Sequence, residues 1–121
     1  MFLGLRTAIY PAPDLAEAKR WYAQVLGIKP YFDEPYYVGF SVGGFELGLI
    51  PDAQPGTAGP QPLWGVKDAT ATFDRLIALG ATPLELVTEV GECIKVAAVK
   101  DPFGNRLGII ENQNFDPSAV K

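Results

Sequence analysis

The sequence predicts an α+β fold made of two copies of one βαβββ module. Two repeated features carry this prediction. Aspartates that can cap a helix stand at Asp14 and Asp68, 54 residues apart. Nearly identical segments, Leu-Gly-Leu-Ile at 47–50 and Leu-Gly-Ile-Ile at 107–110, are sixty residues apart. Repeats of this length indicate a duplicated supersecondary unit, so we expect the second half of the chain to fold like the first.

The first module is predicted over residues 3–51. An apolar segment at 3–12 has the composition of a strand. Asp14 and Glu17 then have the spacing of a helix capping box, and Gly27 has the position of a helix stop. Three further strands are predicted, with a Gly43-Gly44 hairpin turn between the last two, at 29–32, 36–42 and 45–50.

The second module is predicted over residues 61–112, after a linker at 52–60 that is rich in glycine and proline. A strand at 62–67 and a helix from Asp68 to Gly80 precede strands at 84–90, 93–100 and 105–111. The turn before the last strand is Asp-Pro-Phe-Gly at 101–104, in which Pro102 fixes a negative φ and Gly104 can take a positive one. Residues 113–121 are expected to form a tail that is frayed or lies on the surface.

Composition limits the functions that the chain can have. A length of 121 residues with 48% hydrophobic residues suits one compact domain or two very small modules that share a core. The net charge of −4 argues against nucleic acid or an anionic membrane as a partner. There is no membrane-spanning apolar run and no signal-peptide pattern, and the single Cys93 cannot form an internal disulfide, so we expect a cytoplasmic protein. The chain has no histidine, which removes the commonest general base and transition-metal ligand.

Three segments together resemble a known family. They are PDLAEAKRWYAQVLG at 13–27, VKD at 66–68 and DPFGNRLGIIE at 101–111. Their order and spacing are similar to those of the vicinal oxygen chelate superfamily, which contains glyoxalase I, extradiol dioxygenases, fosfomycin-resistance enzymes and bleomycin-binding proteins. The resemblance covers residues 4–112. It implies that the two modules pair into a cupped mixed sheet, that the ligand lies in the cup and that the protein is a homodimer. Whether one chain or two would form the cup is left open.

The resemblance also implies four metal-ligand positions, a histidine on the first strand of each module and an acid on the last. In this sequence those positions fall on Thr7, Gln61, Gly48 and Gly108. A divalent metal needs several deprotonated nitrogen, oxygen or sulfur donors in one shell, and these four residues do not provide them. We therefore predict a member of the family that holds no metal and needs no cofactor.

The glycines at 48 and 108 have two interpretations. In the first, they deepen the cup and make room for a flat or bulky ligand. In the second, they relieve crowding against a neighbouring aromatic side chain, since glycine inside a strand often marks a close approach. Under both interpretations we expect alanine at either position to be tolerated if φ is negative.

Alternation along the strands predicts which side chains share the cup with these positions. Glu46 and Arg106 stand at equivalent places in the two modules, where they would orient a polar ligand; the alternative is a salt bridge at the sheet edge. Glu46 is also the candidate catalytic base. The predicted ligand-binding set is Thr7, Glu46, Gly48, Gln61, Leu63, Arg106 and Gly108. Cys93 has no histidine beside it, and we expect it to be buried and unreactive.

Three functions are consistent with the sequence. The leading hypothesis is a metal-independent protein that binds an aromatic or polycyclic compound, because the strands are rich in aromatic residues that can form the walls of a site. The alternative is a glyoxalase-like lyase or isomerase that acts without the usual metal, with Glu46 as base. The third is a regulatory domain that binds a partner protein. A full set of donors at positions 7, 48, 61 and 108 would have favoured metal catalysis.

Overall fold

The computed structural model describes residues 1–121. The chain divides into two compact units, Met1–Pro55 and Gly56–Lys121. The division falls inside the segment at 52–60 that we interpret as a linker. Each unit has the element order β-α-β-β-β, so the α+β fold of two βαβββ modules is confirmed.

The first unit is a mixed four-stranded sheet with one helix packed on it. Its elements are β1 (Thr7–Pro11), α1 (Leu15–Leu26), β2 (Phe32–Glu34), β3 (Tyr37–Val42) and β4 (Phe45–Ile50). The strand order is β1-β4-β3-β2, with β1 and β4 parallel and the other pairs antiparallel. The helix α1 contacts β3 and β4, and it buries Ala18, Trp21 and Tyr22 on that face.

Helix α1 begins and ends where the sequence predicts. The Asp14 carboxylate accepts a hydrogen bond from the Glu17 backbone N–H at 3.2 Å, which satisfies one of the free amides of the first turn. Gly27 takes the left-handed conformation with φ of 69° and ends the helix. The Glu17 side chain pairs with Arg20 instead of closing the predicted capping box.

The hairpin between β3 and β4 fixes the register of the first sheet. Gly43 and Gly44 have φ values of 58° and 89°, which suit a two-residue turn between strands with right-handed twist. This turn places Val42 opposite Phe45 and, three pairs further on, Gly39 opposite Gly48. Two glycines therefore face each other at the centre of the sheet.

The second unit repeats the plan of the first. Its elements are β5 (Leu63–Gly65), α2 (Ala69–Ala78), β6 (Thr82–Glu89), β7 (Ile94–Lys100) and β8 (Arg106–Asn112), in the strand order β5-β8-β7-β6. Leu63 pairs with Gly108 across the parallel strands β5 and β8, as Ile9 pairs with Gly48 in the first unit. Asp68 caps α2 by accepting from the Ala71 N–H at 3.0 Å.

The predicted turn at 101–104 is present, and its aspartate has a larger role than its proline. Asp101 is 2% exposed, and its carboxylate accepts from the backbone N–H groups of Phe103 and Asn105, both at 2.9 Å. Gly104 takes a φ of 100°. Because Oδ1 of this buried carboxylate accepts from two backbone N–H groups of the turn, Asp101 is a structural residue that fixes the turn before β8.

Several predicted strand boundaries are wrong. The first strand begins at Thr7 and not at residue 3, because residues 1–6 are exposed and outside the sheet. The second runs over 32–34 instead of 29–32, with Pro35 and Tyr36 forming the turn. The sixth begins at Thr82 and includes Pro83, which is tolerated because β6 is an edge strand of this sheet.

One further expectation is corrected. Cys93 is exposed and lies in the turn before β7 with a φ of 61°, not buried inside a strand. The tail contains a short 3-10 helix at Pro117–Ala119, which begins where the Asp116 side chain accepts from the Ser118 N–H. None of the helices is long and apolar enough to cross a membrane.

Candidate functional site

The candidate site lies on the face of the first sheet that is turned away from α1. Along β4 the side chains alternate, so Leu47 and Leu49 are buried against the helix side. Glu46, Gly48 and Ile50 lie on the opposite face, which we call the open face. Thr7 pairs with Glu46, and Ile9 pairs with Gly48, so these β1 residues belong to the same face.

Three hydroxyl groups converge on the Glu46 carboxylate. Thr7 Oγ1 donates to Glu46 Oε1 at 3.1 Å, and Tyr37 Oη donates to the same oxygen at 2.6 Å. Tyr31 Oη donates to Oε2. We call Thr7, Tyr31, Tyr37 and Glu46 the Glu46 cluster. The residues come from β1, β3, β4 and the segment just before β2, so three of the four strands contribute to it.

The facing glycines make room for this cluster. A Cβ on Gly39 would lie 2.6 Å from Glu46 Oε2 and 3.1 Å from Tyr31 Cε1. A Cβ on Gly48 would overlap Tyr37 Oη and lie 2.8 Å from Tyr37 Cζ. Any side chain at either position would therefore have to displace a member of the cluster. The space that Gly48 leaves is filled by Tyr37 of the same unit.

The cluster stabilises the ionised form of Glu46. Partial burial acts to raise the pKa of Glu46, but the hydrogen bonds from Tyr31, Tyr37 and Thr7 outweigh it, and the pKa lies below its ordinary value. Burial and the hydrogen bond to Glu46 raise the pKa of Tyr37. The pKa of Tyr31 is raised chiefly by its own hydrogen bond to Glu46. At neutral pH the site thus contains one carboxylate and neutral hydroxyl groups.

A shallow depression, open to solvent, adjoins the cluster. It has a volume of about 450 Å³, and its lining includes Arg6, Thr7, Tyr31, Phe45 and Glu46. Arg6 donates from Nη1 to the carbonyl oxygen of Leu5 at 3.2 Å. The open face also carries apolar surface beside the cluster, since Ile9 is 52% exposed and Phe32 is 37% exposed.

The equivalent positions of the second unit have a different chemistry. A Cβ on Gly108 would lie 2.7 Å from Leu63 Cδ2 and 2.9 Å from the Pro62 carbonyl oxygen. Arg106 Nη2 donates to Glu85 Oε1 at 2.6 Å in a salt bridge, and Arg106 Nε is buried without a hydrogen-bond partner. At the positions of the second sheet that correspond to the Glu46 cluster, the structure therefore has an ion pair.

The seven predicted site residues divide between the two units. Thr7, Glu46 and Gly48 lie in the first, and the structure brings Thr7 and Glu46 into contact. The other four lie in the second, where Leu63 and Gly108 are neighbours, Arg106 is paired, and Gln61 is exposed. Gln61 precedes β5 and is not on a strand as predicted, because β5 begins only at Leu63.

Tyr31, Tyr37 and Gly39 were not identified from the sequence as residues of one site. Tyr31 and Tyr37 were counted only among many aromatic residues, and Gly39 was not singled out. For Gly39 the sequence does contain a signal. A two-residue turn at Gly43-Gly44 fixes the pairing of β3 and β4, so Gly39 opposite Gly48 follows from the sequence by counting outward from the turn.

The donor set does not fit the metal that the family uses. Threonine, glycine, glutamine and glycine occupy the four ligand positions, and only the first and third have a side-chain oxygen. Glu46 is bonded to three hydroxyl groups, and the structure contains no group of three or more histidine, cysteine, aspartate or glutamate residues that could hold an ion. The site chemistry therefore has to be considered from the side chains of the chain itself.

Comparisons with known proteins agree with this fold. The crystal structure of lactoylglutathione lyase from Agrobacterium tumefaciens superposes with a TM-score of 0.72 at 20% identity, over 93% of this chain and 98% of that one. A bleomycin resistance determinant encoded on the transposon Tn5 gives a TM-score of 0.70 at 18% identity, over 91% and 98%. A glyoxalase/bleomycin resistance protein from Albidiferax ferrireducens T118 gives 0.71 at 18%, over 89% and 98%.

These similarities establish the fold and not a shared activity, because all three identities are low. No curated protein matches the chain. The family model of the glyoxalase/bleomycin resistance protein/dioxygenase superfamily matches residues 4–109, nearly the whole length. The resemblance read from the sequence is thereby confirmed, and the chain belongs to the glyoxalase/bleomycin resistance protein/dioxygenase superfamily.

Proposed function

We propose that this protein is a metal-independent small-molecule-binding protein that takes up an aromatic or polycyclic compound on the open face of its first sheet. The observation that carries the proposal is the Glu46 cluster. A carboxylate fixed by three hydroxyl groups lies beside exposed apolar side chains, and ligand sites commonly combine a few fixed polar groups with apolar walls. Ile9 and Phe32 would provide part of those walls.

Binding is favoured over a lyase or isomerase reaction by the state of Glu46. A general base works best when its pKa lies near the operating pH. The hydroxyl groups of Tyr31, Tyr37 and Thr7 lower the pKa of Glu46, which makes the carboxylate a weaker base. They also occupy both of its oxygens, so a substrate proton would have to compete with them. Glu46 is better suited to hold a ligand than to abstract a proton from it.

The remaining polar candidates belong to the second unit. Within that unit Arg106 is paired with Glu85, and Gln61 is exposed just before β5; we propose both as contacts for a ligand on the second unit itself. Leu63, 44% exposed, would add apolar contact in the same unit. We propose a homodimer in which a second copy covers exposed apolar side chains. We also propose a cytoplasmic location, because the single cysteine forms no disulfide.

Native mass spectrometry of protein purified from its own host tests the proposal. We expect a retained aromatic compound in the wild type and its loss in Glu46→Gln. The matched control is Glu89→Gln, which changes an exposed glutamate on β6 and should retain the compound. If the wild type retains no small molecule, or if the compound remains bound in Glu46→Gln, the proposed site is wrong.

A further inference from the structure

Every hydroxyl proton of the Glu46 cluster is donated in a hydrogen bond within the cluster. A serine, threonine or tyrosine hydroxyl has one proton, and an ionised carboxylate has none. Thr7, Tyr31 and Tyr37 each donate their proton to Glu46. What remains toward solvent are lone pairs on the three hydroxyl oxygens and on the carboxylate. The cluster can accept hydrogen bonds from a ligand but cannot donate any without losing one of its own.

The negative charge of the cluster has no bonded counter-ion. All the hydrogen bonds to Glu46 come from neutral groups. Salt bridges of the same unit join other residues, Lys19 with Asp33 and Arg20 with Glu17. Arg6 lines the adjoining depression, but its Nη1 donates to the carbonyl oxygens of Leu3 and Leu5. A half-buried carboxylate without a paired cation attracts a positively charged group.

Aromatic rings adjoin Tyr37, a member of the cluster. The Phe32 ring lies 6.0 Å from the Tyr37 ring and 6.1 Å from the Tyr36 ring, centroid to centroid, in edge-to-face geometry. The Tyr31 side chain reaches the carboxylate from the segment before β2. Aromatic faces attract organic cations through the charge distribution of the ring, so these rings and the carboxylate favour the same kind of ligand.

We propose that the ligand carries a protonated nitrogen, an alkylammonium or amidinium group joined to an aromatic ring system, whose N–H donates to the Glu46 cluster. This inference rests on the proposed binding function and adds the chemical class of the ligand. It follows from an acceptor-only cluster that bears one negative charge beside aromatic rings.

Three probes that share one ring system test the inference at neutral pH. They are 2-naphthylmethylammonium, the neutral 2-naphthylmethanol and the anionic 2-naphthoate. Their affinities and contact sites are measured by titration while the backbone amide signals are followed by NMR. We expect the ammonium probe to shift the signals of Thr7, Tyr37 and Glu46 and to bind about fivefold or more tightly than the alcohol, which corresponds to a partly exposed charge pair. The naphthoate should bind more weakly than both.

The same titration with Glu46→Gln separates charge from shape. The ammonium and the alcohol should then bind with equal affinity, whereas Glu89→Gln should keep the wild-type preference. Tyr37→Phe provides a second variant if Glu46→Gln does not fold; it keeps the charge and should keep the preference for the ammonium.

Each outcome bears on one proposal. If the alcohol or the naphthoate binds at these residues as tightly as the ammonium, the inference about the ligand is overturned and the binding function stands. If the ammonium preference survives Glu46→Gln, the cation is recognised elsewhere and the inference is again overturned. If none of the three probes binds, the proposed function itself is contradicted.

Discussion

The Tyr37 hydroxyl occupies the space in which a side chain at position 48 would stand. An added Cβ on Gly48 would overlap Tyr37 Oη and lie 2.8 Å from Cζ. The same hydroxyl donates to Glu46, two residues earlier on the strand. Gly48 and the Glu46 cluster are thus one arrangement, in which the glycine admits the ring and the ring holds the carboxylate.

The first prediction is that Gly48→Ala destabilises the protein by about 1–3 kcal/mol, the usual cost of overpacking. This corrects our expectation that alanine would be tolerated there, because the tyrosine ring has to move. Thermal unfolding followed by circular dichroism measures the loss. The matched control is Gly65→Ala on β5, where an added Cβ meets nothing within 4 Å.

The double variant Gly48→Ala/Tyr37→Ala identifies the cause. Adding the alanine at position 48 to a protein that already lacks the tyrosine ring should cost little, since the overlapping atoms are gone. Equal melting temperatures for Gly48→Ala and Gly65→Ala would contradict the prediction, as would a full loss in the background without Tyr37.

The second prediction concerns Gly108, where the obstacle is different. An alanine there would meet the Pro62 carbonyl oxygen at 2.9 Å as well as Leu63 Cδ2 at 2.7 Å. A leucine side chain can turn away, but a backbone carbonyl cannot move alone. We expect Gly108→Ala to cost about 1–3 kcal/mol, measured by urea unfolding, and to remain costly when Leu63→Ala is added. Complete rescue by Leu63→Ala would show that the side chain alone was limiting.

The repeat made most of the fold predictable from the sequence. Helix caps at Asp14 and Asp68 and the glycine turns have local causes, because each depends on one side chain or one positive φ. The strand ends were less predictable. Whether residues 3–6 join the sheet depends on tertiary pairing that the composition of the segment does not reveal. The 3-10 helix of the tail was likewise missed.

The candidate site was only partly predictable. Glu46 was identified from alternation, but its partners were not. Thr7 was considered as a replaced metal ligand and not as a donor to Glu46. Tyr31 reaches the carboxylate from outside the strands, so alternation could not place it. The choice between two interpretations of Gly48 likewise required knowing where the Tyr37 side chain turns, which depends on its rotamer and not on its spacing.

The third prediction is a pH dependence that comes from Glu46. Its pKa in the folded protein is lowered by the three hydroxyl groups, so folding favours the ionised form. A depressed folded pKa contributes stability that is present above the unfolded pKa of about 4.3 and is lost as the pH falls through the folded value. The wild type should therefore exceed Glu46→Gln in unfolding free energy near neutral pH, and this advantage should shrink on acidification.

Urea unfolding at several pH values between about 7 and 3 measures this difference. Tyr37→Phe removes one donor and brings the pKa of Glu46 closer to its ordinary value, so its own loss on acidification should be smaller than that of the wild type. A difference between wild type and Glu46→Gln that stays constant over the whole pH range would show that the hydroxyl groups do not favour the ionised carboxylate.

The fourth prediction is that the purified protein contains no stoichiometric transition metal. The four positions that hold the family's ligands provide too few donors, and Glu46 is engaged by hydroxyl groups. Elemental analysis after purification without chelator measures the content, and the melting temperature should not change on addition of EDTA. Zinc, nickel or iron near one ion per chain, lost in Gln61→Ala, would contradict the prediction and favour a metal-dependent activity.

The fifth prediction is a homodimer. Strand β6 carries exposed apolar side chains; Leu84 is 39% exposed and Leu86 is 68% exposed. A symmetric partner would remove such surface from water.

Sedimentation at micromolar concentrations should give about twice the mass of one chain, as for a closed symmetric pair. Leu86→Lys should shift the distribution toward the monomer, because burying an unpaired ammonium is unfavourable. Val120→Lys, a control at an exposed position of the tail, should remain dimeric. A wild type that is monomeric at every concentration would contradict the prediction and leave the exposed face of each sheet available to a ligand alone.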